Sequence, residues 1–167
     1  DIDEINNLLE ENQNNYKCYI ANDNSNGQTV LSGLNTDVDK LVISLKEKKI
    51  KNIKLPVSAP FHCKLMNKAT SIMIDKINNS NFAKPKNVII SNVTGSGTQE
   101  IKEIKDLLIK QIESPVRWRE SVVYMIKNGV TNFIEIGPGK VLSGLVKRID
   151  RNIDLIQVNN ISDLNKL

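Results

Sequence analysis

Aromatic residues are scarce, 4% of the chain, and its 167 residues include one histidine and two cysteines. Each scarcity removes a class of function. Single-strand nucleic-acid binders interleave stacking rings with their basic residues, and those rings are missing here. The net charge of +4 and pI near 9.0 therefore point to another anionic partner, such as a phosphorylated cofactor or an acidic protein, drawn in at long range. Cys18 and Cys63 have no metal-ligand spacing, and one histidine makes no zinc cluster, so both are read as reduced cytosolic thiols. No apolar run approaches the roughly 20 residues of a membrane-spanning helix. The chain opens on Asp1, and DIDEINNLLE has neither the basic nor the apolar region of a secretory signal, so the expectation is a fragment of a longer cytoplasmic product.

What is present is the mix of an ordinary globular domain, 40% hydrophobic and 25% charged, long enough to bury a core. IDEINNLLE has helical period, KCYIAN reads as a strand, DNSNG as a slightly long hairpin turn with Gly27 at positive φ, and QTVLSG as the second strand. Asn35 or Thr36 is expected to cap a helix whose stripe is Val38, Leu41, Val42 and Leu45, and KNIKLPV to form a strand ended by Pro56. Helix, strand, strand, helix, strand is a ferredoxin-like unit lacking its first strand, which would sit mid-sheet.

Leu65, Met66, Ala69, Ile72, Met73 and Ile77 predict a helix beginning at or just after His62, and NVIISNV a buried parallel strand. Helices over 101–112 and 118–128 follow, the second ended by Gly129. TNFIEIGPGKVLSGLVKRI then reads as strand, glycine turn and helix, and IDLIQV as a last strand. Alternation of this kind implies a mostly parallel sheet. The expected fold class is α/β. An incomplete ferredoxin-like small subdomain spans 1–57, and the C-terminal part of an α/β-hydrolase-like parallel-sheet subdomain spans 58–167.

His62 is the one side chain whose ordinary pKa suits proton exchange near neutrality, and the VSAPF loop before it can aim a side chain into a cleft. VSAPFHCKLM, QIESPVRW, EIGPGKVL and IANDNSNGQTVLSG together resemble the bacterial malonyl-CoA:acyl carrier protein transacylases, in family order from near residue 1 to about residue 160. The resemblance implies a serine on a G-x-S-x-G elbow that attacks the malonyl thioester, with His62 as general base. The phosphopantetheine thiol of acyl carrier protein then opens the acyl-enzyme.

It also implies that Gln111 orients the imidazole through a carbonyl, although a polar residue near a helix end explains Gln111 equally. Phe61 would crowd the substrate carbon and favour malonyl over methylmalonyl, and it would also serve as a core residue covering the loop. Asn24 would line the substrate cleft, while the turn chemistry of DNSNG accounts for it without a ligand. The implied partners are malonyl-CoA and acyl carrier protein, with no nucleic acid and no membrane. The implied cofactor set is none tightly bound, coenzyme A thioester being substrate.

GPGK at 137–140 lacks the longer phosphate-loop pattern and reads as a tight turn. Lys140, Lys147, Arg148, Arg117 and Arg119 are either a basic surface for carrier protein or cofactor phosphates, or a solvated charged face. No serine lies in G-x-S-x-G: Ser96 follows Thr94 and Gly95, and Ser143 follows Val141 and Leu142. The resemblance implies that the nucleophile, an oxyanion-hole loop and a carboxylate-binding arginine lie upstream, and the chain alone is expected to be inactive. The alternatives are a non-catalytic fragment that docks carrier protein or complements a split enzyme, and an acyltransferase domain of a polyketide synthase.

Overall fold

The computed structural model describes residues 2–166. Helix α1 (Ile2–Glu11) buries Ile5 and Leu8, one turn apart on the same face. Strands β1 (Cys18–Ser25) and β2 (Gln28–Gly33) form an antiparallel hairpin. Its connection is the two residues Asn26–Gly27, shorter than the sequence implied, because β1 runs on through Asp23, Asn24 and Ser25 while β2 begins at Gln28 as expected. Gly27 takes φ +76°, which a tight turn demands and a side chain resists. The register slips between Ile20 and Asn22 and between Asp23 and Ser25, so β1 bulges at Ala21 and at Asn24.

Helix α2 (Asn35–Glu47) follows with Leu34, not Asn35 or Thr36, at its N-cap position and no side-chain cap bond. Those two side chains are already inside the first turn. Ile5, Leu8, Tyr16, Cys18, Leu41 and Leu45 form a first core under the hairpin. Leu8 and Leu41 are each 2% exposed, and burial of such a side chain contributes about 1.5–3 kcal/mol.

The expected strand at KNIKLPV does not form. Residues 51–57 carry no ladder partner, and Ile53, Leu55 and Val57 stand exposed. A strand is a property of pairing, and an apolar alternation with no neighbour stays coil. His62 lies in a turn, and the chain enters a helix later than expected. A 3-10 turn spans Lys64–Met66 and precedes α3 (Asn67–Asn79).

NVIISNV gives not a buried parallel strand but the two-residue β3 (Ile89–Ile90), antiparallel to β4 (Gly97–Thr98). Val88 and Ile89 remain exposed. Helices α4 (Ile101–Lys110) and α5 (Trp118–Lys127) come next. Gly129 after α5 is in the left-handed region at φ +88°, as its sequence position implied.

Strand β5 (Asn132–Ile136), helix α6 (Val141–Ile149) and strand β6 (Asp154–Val158) make a β-α-β unit whose strands pair in parallel. Val122, Val146 and Ile153 centre a second core with Phe133 and Leu155, while Ile134 and Ile136 on the opposite sheet face are uncovered. The fold is mixed α/β. Among the described residues its strands pair in three two-stranded sheets, one of them parallel, instead of one mostly parallel sheet. A final 3-10 segment spans Ile161–Lys166.

Candidate active site

The turn before α3 is tight. Phe61 N–H donates to the Ala59 carbonyl at 3.0 Å, and His62 adopts φ +59°, a left-handed conformation rare for a residue with a side chain. Cys63 anchors the turn from below. It is 2% exposed, its thiol donates to the Pro60 carbonyl at 3.2 Å, and Ser32 Oγ on β2 lies 3.8 Å from its sulfur. With one neighbour buried and the backbone turned, the His62 ring is sent sideways toward the end of α4.

There Nδ1 lies 3.0 Å from the main-chain carbonyl oxygen of Gln111. A carbonyl only accepts, so the contact puts the hydrogen on Nδ1 and leaves the neutral ring its lone pair on Nε2. Gln111 directly follows α4, where the last carbonyls have no partner within the helix. The Gln111 side chain serves elsewhere: its Oε1 accepts from Asn92 Nδ2 at 3.4 Å.

His62 lines a cleft of about 500 Å³ together with Cys18 and Ile20 of β1, Lys64, Val93, Pro115 and Arg117. Phe61 and Asn24 are not among the residues lining it. Phe61 is 48% exposed, and Asn24 occupies the second bulge of β1, half-buried. Among the sequence-derived residues the structure thus brings His62 and Gln111 into contact and places neither Phe61 nor Asn24 in the lining of the cleft.

One wall of the cleft is fixed by residues that sequence reasoning did not single out together. Val116 N–H donates to the Ala21 carbonyl at 2.8 Å, and Asp23 N–H donates to the Val116 carbonyl at 2.9 Å. The segment between α4 and α5 is thereby laid against the free edge of β1. Arg119 closes the same junction, its Nε 2.9 Å and its terminal nitrogen 2.8 Å from Asp23 Oδ2. The hydrogen bond with Asp23 pushes the Arg119 pKa above its ordinary value against the opposing effect of burial, and the carboxylate's charge adds to the rise. Residues 96 apart in sequence leave no local signal for such a pair.

The basic residues named from the sequence are mostly engaged within the chain. Arg117 pairs with Glu120, Arg148 bonds Gln28, and Lys147 holds the carbonyls of Arg151 and Ile153. The GPGK turn is likewise closed. Glu135 accepts the N–H groups of Leu142 and Ser143 at 3.0 and 2.8 Å, so a carboxylate already occupies the N-terminal end of α6 where a phosphate would bind. Burial pushes the Glu135 carboxyl up, but the hydrogen bonds from Ser143 and Leu142 outweigh it and hold it below the usual range. Among the described residues no cluster of His, Cys, Asp and Glu fits a metal ion, and no helix is long and apolar enough to cross a membrane.

No protein-family model matches the chain. It is 42% identical over 142 residues to the malonyl CoA-acyl carrier protein transacylase of Bacillus subtilis, covering 84% of this chain and 45% of that protein. The solved malonyl CoA-acyl carrier protein transacylase of Clostridium perfringens matches with a TM-score of 0.92 at 37% identity, over 98% of this chain and 52% of that one. A malonyl-transacylase solved in complex with a type II PKS acyl-carrier protein matches with a TM-score of 0.88 at 32% identity, over 95% of this chain and 52% of that one. The chain spans about half the length of the curated relatives it matches. Over about half of their length, malonyl-CoA:acyl carrier protein transacylases are what this chain is similar to, in sequence and in fold.

Proposed function

We propose that this chain is the base-bearing part of an acyltransferase that moves malonyl from malonyl-CoA to the phosphopantetheine thiol of acyl carrier protein, for fatty acid synthesis. The observation that carries the reading is the His62 ring, anchored through Nδ1 on the Gln111 carbonyl at the edge of a cleft. That anchorage leaves Nε2 free to take a proton, which is what a general base in acyl transfer requires.

In this reading a serine supplied from outside these residues gives its proton to Nε2 as its oxygen bonds the thioester carbon. The carbon–sulfur bond breaks, and the departing coenzyme A sulfur takes the proton back from Nε2. In the second half, the carrier protein's thiol gives its proton to Nε2 and its sulfur attacks the acyl-serine. The serine oxygen leaves and recovers the proton. No tightly bound cofactor enters, and coenzyme A thioester is substrate only. Phe61 at the mouth of the loop is proposed to favour malonyl over bulkier extenders, and Asn24 to line the substrate cleft in the longer protein.

Radiolabelled malonyl-CoA should label the longer gene product covalently, and His62→Ala should slow that labelling by about 10²–10⁴-fold. The chain of 167 residues by itself should stay unlabelled. Unimpaired labelling of the His62→Ala protein would remove His62 from the mechanism, and labelling of the isolated chain would remove the external serine.

A second reading is a non-catalytic piece that completes a split enzyme. The uncovered apolar residues Ile134 and Ile136 on β5, and Ile53, Leu55 and Val57 in the coil that follows α2, favour it, because contiguous apolar surface is normally covered. Co-purification with a separate serine-bearing polypeptide supports it, and a continuous reading frame carrying both halves excludes it.

A further inference from the structure

We propose that Asn92 is a positioning residue for the His62 imidazole, acting through Gln111; this rests on the reading of His62 as the proton carrier. Asn92 is half-buried in the turn between β3 and β4. Its Nδ2 donates to Gln111 Oε1 at 3.4 Å, and its main-chain carbonyl accepts the Arg117 N–H at 2.9 Å. One residue therefore grips both ends of the segment that joins α4 to α5.

That segment makes the site. Gln111 at its start holds the imidazole, and Val116 near its end pairs with Ala21 and Asp23 of β1. The Gln111 N–H is bound back to the Leu107 carbonyl at 2.9 Å, while the N–H of the peptide that carries the Gln111 carbonyl, that of Ile112, makes only a long bond of 3.3 Å to the Ile109 carbonyl. Glu113 N–H likewise reaches the Lys110 carbonyl at 3.2 Å, so a loosening turn follows the helix, and the aim of the Gln111 carbonyl depends also on what restrains residue 111 from outside. Because the acceptor is main chain, no side chain at 111 is needed as His62's partner; the amide of Gln111 instead serves as the handle by which Asn92 holds it. A 3.4 Å contact is long for a hydrogen bond, so its effect is orientation more than binding energy.

His62 is the one histidine in the sequence, so imidazole ¹⁵N resonances of the labelled chain report its tautomer without ambiguity. The unsubstituted chain should hold the neutral ring mainly as Nδ1–H. Asn92→Ala keeps the main-chain bond to Arg117 and loses the side-chain one. It should lower the ratio of Nδ1–H to Nε2–H roughly three- to tenfold, the size of one lost hydrogen bond. Asn92→Asp, toward which the Gln111 amide turns over and donates, should restore the ratio. Gln111→Ala should reproduce Asn92→Ala, and the double variant should be no worse than either single one. If Asn92→Ala does not fold, Gln111→Ala with Asn92→Asp carries the same test. A ratio unchanged in Asn92→Ala or Gln111→Ala, or losses that add in the double variant, overturns the proposal. An unsubstituted ring held mainly as Nε2–H overturns the reading of His62 itself.

Discussion

The imidazole Nδ1 of His62 lies 3.0 Å from the main-chain carbonyl oxygen of Gln111, so the partner that fixes the tautomer belongs to the backbone. A main-chain acceptor survives any ordinary substitution at its position. In the longer protein, Gln111→Ala is therefore expected to lower kcat/KM by no more than about tenfold, through looser orientation, against about 10²–10⁴-fold for His62→Ala. Steady-state malonyl transfer by the two variants checks this. Equal losses at the two positions would mean that the Gln111 side chain, not its carbonyl, serves the base.

The junction between the hairpin and α5 depends on a carboxylate that is 4% exposed, Asp23, and the guanidinium that neutralises it. Arg119→Ala leaves that charge buried with its main-chain bond to Val116 but no counterion. Breaking a fully buried pair costs about 3–5 kcal/mol, and because the Arg119 side chain is itself 37% exposed, solvent screening reduces the expected loss to about 2–3 kcal/mol. Urea unfolding of the single variants and of Asp23→Asn with Arg119→Ala measures the coupling. A double variant as unstable as the sum of the singles would show that the pair does not interact.

Glu135 stands where a helix N-cap side chain would, with both oxygens on N–H groups of α6. Replacement by Ala should cost about 1 kcal/mol at pH 7, the usual size of a lost cap. Because the folded carboxyl is held below its ordinary range, its contribution is present above the unfolded carboxylate pKa and is lost as pH falls through the lower folded value. The difference between native and Glu135→Ala stability should accordingly shrink in acid. Chemical denaturation at pH 7 and pH 3 reads it, and a constant difference would assign the cap to shape alone.

Cys18 is buried in the first core, and burial first, then the nearby Asp37 and Cys63, push its thiol pKa up from 9.0 to about 11. A thiol raised in the folded state contributes stability that is fully present below the unfolded value and is lost as pH rises through the folded one. Between about pH 9 and 11 the chain should lose on the order of 2 kcal/mol that a Cys18→Ala variant does not lose. Near neutral pH the native thiol should react with a disulfide reagent far more slowly than in the unfolded chain. Rapid modification of Cys18 in the folded chain would contradict its placement.

Much of the fold was legible because helices carry their own evidence. The 3.6-residue stripes of α1, α2, α4, α5 and α6 and the glycines at 27 and 129 mark elements that need no distant partner to be recognised. The strands were legible only where both members of a pair were local, as in the hairpin. At 51–57 and 87–93 the apolar runs predict strands, but pairing is a long-range property. The first region found no neighbour, and the second found a short antiparallel one. The site divides in the same way. His62 stands out by residue type alone, while the carbonyl it meets and the Asp23–Arg119 clamp are fixed by tertiary placement, which no spacing encodes.

His62 also takes on a backbone cost that follows from where it sits. At φ +59° a residue with a Cβ is disfavoured by about 1–2 kcal/mol relative to the right-handed region, whereas glycine is not. Alanine at this position keeps the strain and loses the ring's bond to Gln111; glycine loses the same bond and relieves the strain. His62→Gly should therefore be more stable than His62→Ala by about 1 kcal/mol, even after glycine's greater freedom in the unfolded chain is counted against it. Both variants should be equally inactive in the longer protein, which separates the conformational effect from the chemical one. Thermal unfolding of the pair side by side measures the difference. If alanine proves the more stable, the left-handed turn is not held in solution, and the geometry that aims the ring at α4 would have to come from elsewhere.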